Sequence, residues 1–332
     1  MPGMPLTPSA PKEYYNFRPI AYPMGPDVAR LGSAETKTRP RIKLVGIGGA
    51  GCNIISDSGM EAVAVLKAEE GVHEVKVPKK CVLTPDHVKL FKTTSPQMFH
   101  AIGGNLKTGV FGCIGDADIM FLFTGLGGET GSSVTPALAN ICRKHCKLVV
   151  VSAALPFSVE GGERKYVAAA SMDKVMEHSD MVITYSNDSL LKIAPNLPLR
   201  KAFGAMDIIM MAPVMELANA LTMEDLLQVR SDFGGCKHVR AGIGISSGLD
   251  RGLRAVEEAF TSPWFDFDVR TAKTALAIAT ASDMDDVQLQ KVVRDVSLRL
   301  PNTRIRYAGR TDPSLGERLK LVLLLGVGPL KP

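Results

Sequence analysis

The chain has no run approaching the ~20 consecutive apolar residues that a membrane helix requires. Its N-terminus lacks the charged-then-apolar pattern of a secretory leader. These absences predict a cytoplasmic protein with no direct membrane insertion. Cysteine is sparse, 6 in 332 residues, at positions 52, 81, 113, 142, 146 and 236. Scattered in this way, the cysteines suit a reducing compartment and predict no disulfide framework. Cys142, His145 and Cys146 supply only three candidate metal ligands, so packing at a helix end is the plainer reading and no protein-held metal is expected. Excess charge is also missing from most of the chain. The formal net charge is +5, and residues 1–43 alone carry seven basic residues against three acidic ones. The remainder is close to neutral, which argues against nucleic acid as a partner.

The first 40 residues hold eight of the 21 prolines and three of the six tyrosines. They show neither helical nor strand periodicity and predict an extended, flexible, basic arm. Its Tyr14-Tyr15-Asn16-Phe17 cluster and Tyr22 are suited to docking on a partner.

From Arg41 onward, strand-like apolar runs recur at 42–45, 119–123, 148–152 and 181–184, with helical patterns at 134–142 and 166–176 between them. This alternation predicts an α/β fold built on a doubly wound, mostly parallel sheet. Ligands of such sheets bind beyond the carboxyl ends of the strands. A long helical pattern covers about 200–217, followed by a short polar segment, 221–229. After Gly234-Gly235, strand candidates at 240–246, 275–280, 304–307 and 320–325 alternate with helical patterns at 251–260 and 287–300. The expected organisation is an arm (1–40), a doubly wound α/β domain (41–199), a central helix with a polar loop (200–233) and a smaller α+β domain (234–328).

Two glycine-rich turns carry the chemistry. Gly46-Ile47-Gly48-Gly49-Ala50-Gly51-Cys52-Asn53 follows the first strand, and Gly125-Leu126-Gly127-Gly128-Glu129-Thr130-Gly131-Ser132-Ser133 follows the run 119–123. Glycine lets backbone approach an anion, and a helix start adds partial positive charge, so both turns suit phosphate. Gly46-x-Gly48-x-x-Gly51 also satisfies a dinucleotide fingerprint, with Glu69 and Glu70 roughly where a ribose-binding acid belongs. Those glutamates, however, lie in a solvated-looking stretch rather than at the end of a clear strand. A Rossmann-type dinucleotide enzyme also leaves the second turn unexplained, and it stays the lesser alternative.

These motifs resemble the FtsZ branch of the tubulin superfamily of filament-forming GTPases, over residues 41 to about 328. Gly48-Gly49-Ala50-Gly51-Cys52-Asn53 resembles its first phosphate loop, and the second turn resembles the tubulin signature. Pro156 to Arg164 is similar to the ribose-binding loop, with Glu160 and Arg164 four apart. Asn187-Asp188-Ser189-Leu190-Leu191 and Pro195-Asn196-Leu197-Pro198-Leu199 also fit, as does Gly244 to Arg251 in the second domain. Phe203-Gly204-Ala205-Met206-Asp207 resembles the start of the central helix. The resemblance implies GTP or GDP with Mg²⁺ carried by the nucleotide, Phe203 stacked on guanine and Asp207 on the base edge. It implies contacts from Gly48, Gly49, Ala50, Gly51, Asn53, Gly127, Gly128, Glu129, Thr130, Gly131, Ser132, Glu160 and Arg164. It also implies self-association into filaments, or a heteropolymer with another family member, in a division or cytoskeletal role.

Three departures qualify this expectation. Glu129 and Ser133 stand where the family has glycine, and a carboxylate repels a triphosphate unless Mg²⁺ or a lysine intervenes; Lys107 is one candidate. The family's Asn-x-Asp-x-x-Asp loop, which reaches the neighbouring subunit's nucleotide, reads here as Met223, Asp225 and Gln228. Asp225 and Gln228 are therefore the expected trans-acting residues, and turnover is expected to be slow or absent; a fully active GTPase is the alternative. The stretch after the second strand is not recognisable, and the loop before residue 118 is reduced to Ile102-Gly103-Gly104-Asn105-Leu106. Ending at Pro332, the chain is expected to lack the family's membrane-anchoring tail.

Overall fold

The computed structural model describes residues 27–32, 38–93, 110–193 and 199–328. The aromatic cluster of the arm, Ile102–Leu106, Lys107 and Pro195–Pro198 lie outside the described residues. Among the described residues, eleven strands form one sheet in the order β1-β10-β9-β11-β8-β7-β6-β5-β2-β3-β4. One half comprises β2 (Ile42–Ile47), β3 (Ala62–Lys67), β4 (Lys79–Leu83), β5 (Ile119–Gly125), β6 (Leu148–Leu155) and β7 (Met181–Ser186), all paired in parallel. The other half contains β1 (Val28–Arg30), β8 (His238–Ser246), β9 (Thr274–Ala281), β10 (Arg304–Thr311) and β11 (Leu319–Val327), with β11 antiparallel to both β8 and β9. The halves meet where β7 pairs with β8 through only Val182↔His238 and Ile183↔Val239.

Both faces of the sheet are covered, which is why its strands read as unbroken apolar runs. Along β5, Ile119, Phe121 and Phe123 enter one core while Met120 and Leu122 enter the opposite one. The first core is closed by α1 (Gly48–Ile55) and α7 (Leu199–Ala220), whose Ala202, Met206, Met210, Val214 and Leu217 form one buried stripe. The second core lies under α2 (Pro85–Thr93), α4 (Glu129–His145) and α5 (Gly162–His178). Lys201–Ala220 is long and apolar enough to cross a membrane by length and composition, although Asp207 and Glu216 interrupt its apolar run. Here it is the core helix between the two halves. The remaining helices are α3 (Val110–Ile114), α6 (Asn187–Ile193), α8 (Asp225–Phe233), α9 (Arg251–Phe260) and α10 (Asp286–Arg299).

The end of the proline-rich arm departs from the sequence expectation. Val28–Arg30 pairs in parallel with Ile305–Tyr307 at the sheet edge, and Leu31 is buried in the core. Three residues are too few for a periodicity to register, so only the tertiary partner makes them a strand. The polar segment after the central helix is itself helical from Asp225. Cys81 on β4 and Cys113 on α3 form a disulfide, which the expectation of no disulfide framework did not foresee. Spacing in sequence could not reveal it, because β4 and α3 are brought together only by the parallel pairing of β3 with β4. Among the described residues no group of three or more His, Cys, Asp or Glu is placed to hold a metal ion.

Candidate functional site

The two glycine turns meet at the carboxyl ends of adjacent strands, β2 and β5, which pair with Ile47 opposite Thr124. Gly48 has φ +70° and Gly127 has φ +95°, so both turns use backbone that favours glycine. A Cβ on Gly51 would lie 2.1 Å from the Phe123 carbonyl oxygen, and one on Gly131 would lie 2.2 Å from that of Gly125. These two glycines let α1 and α4 seat tightly on the sheet. Gly49 and Gly128, in contrast, face open space or nearly so. They leave room for a ligand to approach the backbone.

Several features fit phosphate here. The N-terminus of α4 is capped by Gly128, and no side chain hydrogen-bonds to it. Thr130, one residue into that turn, is buried, and its Oγ1 has no hydrogen-bond partner. Its Cβ lies 3.5 Å from the position a Cβ would take on Gly48. A buried hydroxyl without a partner between two glycine turns leaves a donor that a polar ligand can satisfy. Ser132 plays a supporting part, since its Oγ accepts a hydrogen bond from the Gly127 amide at 2.9 Å.

A cavity of about 250 Å³ runs from these turns toward α7. Ala50, Gly128, Glu160, Arg164, Phe203 and Asp207 all line it, so four separate sequence motifs converge. Phe203 is about half exposed and packs edge-on to Phe157 at 6.0 Å between ring centroids. Burial raises the Asp207 carboxyl to about 6. Glu160 and Arg164 pair with each other, and Glu160 also accepts from the Phe157 amide at 2.8 Å. Asn187, at the end of β7, lines the same cavity and was read in the sequence only as part of a motif. Asn53 is exposed on α1 and is not among the lining residues.

Glu129 is held away from isolation. Its carboxylate receives Lys67 Nζ at 2.9 Å and is paired on its other oxygen with Lys92 Nζ. The two lysines hold it well below the usual carboxylate range, at about 2. The counter-charges come from the end of β3 and from α2. Lys67-Ala68-Glu69-Glu70-Gly71 therefore does follow a strand, contrary to the sequence reading. Glu70 turns back to accept from the Lys67 amide at 2.8 Å, while its other oxygen lies 3.7 Å from the position of a Cβ on Gly48. The apolar run Ala62 to Leu66 was the available signal for this missed strand. Glu129 also borders a separate cavity of about 390 Å³ between α2, α4 and α5.

Asp225 and Gln228 lie elsewhere. Asp225 is buried; its Oδ2 accepts from both the amide (2.8 Å) and the hydroxyl (2.6 Å) of Thr222, and its Oδ1 accepts from the Gly32 amide at 3.0 Å. The Gln228 amide donates to Asp232 at 3.1 Å, and Met223 packs against the core. Arg230 of the same helix pairs with Asp180 at 3.1 Å and donates to the Lys147 carbonyl, the residues just before β7 and β6. This helix thus lies at the amino ends of the strands, opposite the glycine turns.

Comparison with known proteins accords with this geometry. Residues 41–195 match the Tubulin/FtsZ family, GTPase domain. Cell division protein FtsZ 1 of Methanocaldococcus jannaschii is 30% identical over 324 residues, covering 91% of this chain and 87% of that protein. An empty FtsZ dimer from the same organism has TM-score 0.74 at 28% identity, covering 87% of this chain and 88% of the other. CetZ2 from Haloferax volcanii, solved as a GTPγS-bound protofilament, shares the fold with TM-score 0.65 at 18% identity, covering 88% and 94%.

Proposed function

The chain belongs to the tubulin/FtsZ family, and on that premise we propose that it binds a guanine nucleotide and assembles head to tail into filaments that turn GTP over slowly. The observation that carries this reading is the placement of two half-sites at opposite ends of one sheet. The glycine turns, Thr130 and Asp207 stand at the carboxyl ends of the strands, and Asp225 stands near the amino ends. One subunit cannot bring them together. A second copy stacked along the strand direction can, and such a heterologous contact propagates without closing.

In this reading the turns bind the phosphates by backbone amides, with the Thr130 hydroxyl finding its missing partner there. Mg²⁺, entering with the nucleotide, would neutralise phosphate charge, with the free oxygen of Glu70 the nearest carboxylate to Gly48. Arg164 and Glu160 serve the phosphate and ribose once their mutual pair opens. Phe203 stacks on the base, and Asp207 accepts from the guanine N1–H and N2–H₂ edge. Water activation falls to Asp225, with Gln228 an orienting amide rather than a base. The relatives' names support a division or cytoskeletal role.

A mixing experiment tests the split site. Asp207→Ala weakens nucleotide recognition and Asp225→Asn removes the trans-acting carboxylate, so at GTP concentrations that only the intact pocket can fill each alone should lose turnover. Mixed, the intact pocket of one and the intact loop of the other meet at a shared junction, and GTP turnover should return. Failure of the mixture to exceed its components would overturn the reading.

A further inference from the structure

The end of the arm is stitched to the trans-acting loop. Asp27 and Arg30 form ion pairs with Arg304 (2.8 Å) and Asp286 (2.9 Å), and the Leu31 amide donates to the Tyr307 carbonyl at 2.8 Å. The chain then turns so that the Gly32 amide reaches Asp225, 193 positions away. Further on, the Thr38 carbonyl accepts from the Met223 amide at 3.2 Å. Two contacts thus hold the α7–α8 loop from the arm side.

The two oxygens of Asp225 are not equivalent. Thr222 commits Oδ2 twice, which fixes the carboxylate as a local cap. Oδ1 is the oxygen left for chemistry on a neighbour, and among the described residues its partner is the Gly32 amide. An oxygen already accepting an amide hydrogen bond has less capacity left to accept from an incoming water. The element holding Gly32 there is slight: a three-residue edge strand, exposed at two of three positions, anchored by one buried leucine. Edge elements with few buried contacts open locally at low free-energy cost.

We propose that Asp27–Gly32 is a removable strap over the α7–α8 loop, occupying Oδ1 of Asp225 so that the loop serves the next subunit's nucleotide only when the strap is displaced. This rests on the head-to-tail GTPase reading above, and it places the control of hydrolysis in the arm rather than in the nucleotide pocket. An agent that draws the arm away would act as an activator.

Gly32→Pro in the full chain removes the donor while keeping the extended backbone of Leu31, which proline favours in the residue before it. Phosphate release at fixed protein concentration should rise roughly tenfold, as expected for freeing a carboxylate from a charge-assisted hydrogen bond. GTP affinity of the isolated subunit should be unchanged, and amide hydrogen exchange across Thr222–Gln228 should quicken. Unchanged or lower turnover in a folded variant that still binds GTP overturns the strap. Leu31→Ala, which weakens the anchor without touching Asp225, should move both readouts in the same direction and serves if the proline variant does not fold. If the unmodified protein binds no guanine nucleotide, the GTPase reading fails. The strap is then decided by exchange alone, and unchanged protection at Thr222–Gln228 overturns it.

Discussion

Lys67 and Glu129, 62 positions apart, join the end of β3 to the start of α4 through a 2.9 Å ion pair. With Lys92 on the other oxygen, the acidic residue of the signature loop carries its own counter-charges. Glu129→Gly would free two cations beside the phosphate turns. It should tighten triphosphate binding more than diphosphate binding, because attraction grows with ligand charge. Titrating both nucleotides against the variant checks this. Equal gains for the two would mean that the freed lysines do not reach the terminal phosphate.

The same bracket sets a pH dependence. The folded-state value of Glu129 is lowered from 4.5 to about 2, so its contribution to stability is present above pH 4.5 and is lost as pH falls toward 2. The carboxylate is about half exposed, so solvent screening limits that contribution to ~1 kcal/mol or less. Glu129→Gln should therefore be slightly less stable than the unmodified protein at neutral pH, and the two should converge in acid. Urea unfolding from pH 2 to 7 provides the comparison.

The glycines divide into two kinds, and substitution should separate them. Gly51→Ala would set a Cβ 2.1 Å from the Phe123 carbonyl oxygen, which demands backbone displacement of α1 from the sheet. A loss of ~2–4 kcal/mol in unfolding free energy is expected. Gly128→Ala meets nothing within 4 Å and should keep most of its stability. It should instead weaken nucleotide binding, since the added methyl group stands where the ligand approaches the backbone. Denaturant midpoints and GTP affinity, measured on both variants, should show this inverse pattern.

Legibility followed locality. The runs Ile119–Phe123, Leu148–Ser152 and Met181–Thr184 could be read because a parallel strand buried on both faces is apolar at every position. Both glycine turns could be read because each lies within ten residues of its strand. The edge strands β1 and β4 escaped, since β1 is three residues long and β4 alternates Lys80, Cys81 and Val82 with its outer side exposed. Pairings across long stretches escaped for a different reason. Nothing near Asp225 announces Gly32, and nothing near Glu129 announces Lys67. Only the sheet order, which folds β10 back beside β1 and β3 beside β2, brings these partners together. The convergence of Glu160, Phe203 and Asp207 on one cavity was legible only through family resemblance.

Asp207 gives the proposed nucleotide pocket its own pH response. Burial raises its carboxyl to about 6, so in the nucleotide-free protein it binds protons more readily than in the unfolded chain. Its sign is opposite to that of Glu129: Asp207 disfavours folding at neutral pH, and this cost disappears as pH falls through 6 toward 3.8. Guanine recognition needs the ionised form as a double acceptor. GTP affinity should therefore decline below pH 6, and Asp207→Asn should flatten that decline. Asp207→Ala should cost ~1–3 kcal/mol of GTP affinity and erode the preference over ATP. Unchanged binding of both nucleotides would remove Asp207 from the site.

The α7–α8 loop carries the last expectation, slow turnover with persistent filaments. Met223 is turned into the core, and Gln228 is held by Asp232, which itself receives Arg306 at 2.7 Å. Of the three positions that match the family loop, Asp225 is the one with a carboxylate, and its surroundings bind it inward. Met223→Asn with Gln228→Asp would restore two polar positions of the family loop. The new aspartate stands four residues before Asp232, so like-charge repulsion of ~0.2–0.5 kcal/mol should accompany the change. Phosphate release should nonetheless rise and filament lifetime, followed by light scattering after GTP is exhausted, should shorten. Asp225→Asn should remove the residual hydrolysis while leaving GTP binding by the isolated subunit intact, if, as proposed, the loop serves its neighbour's nucleotide. Rapid release that climbs steeply with concentration in the unmodified protein would overturn the slow-turnover reading, and would show that Gln228 and a single carboxylate suffice.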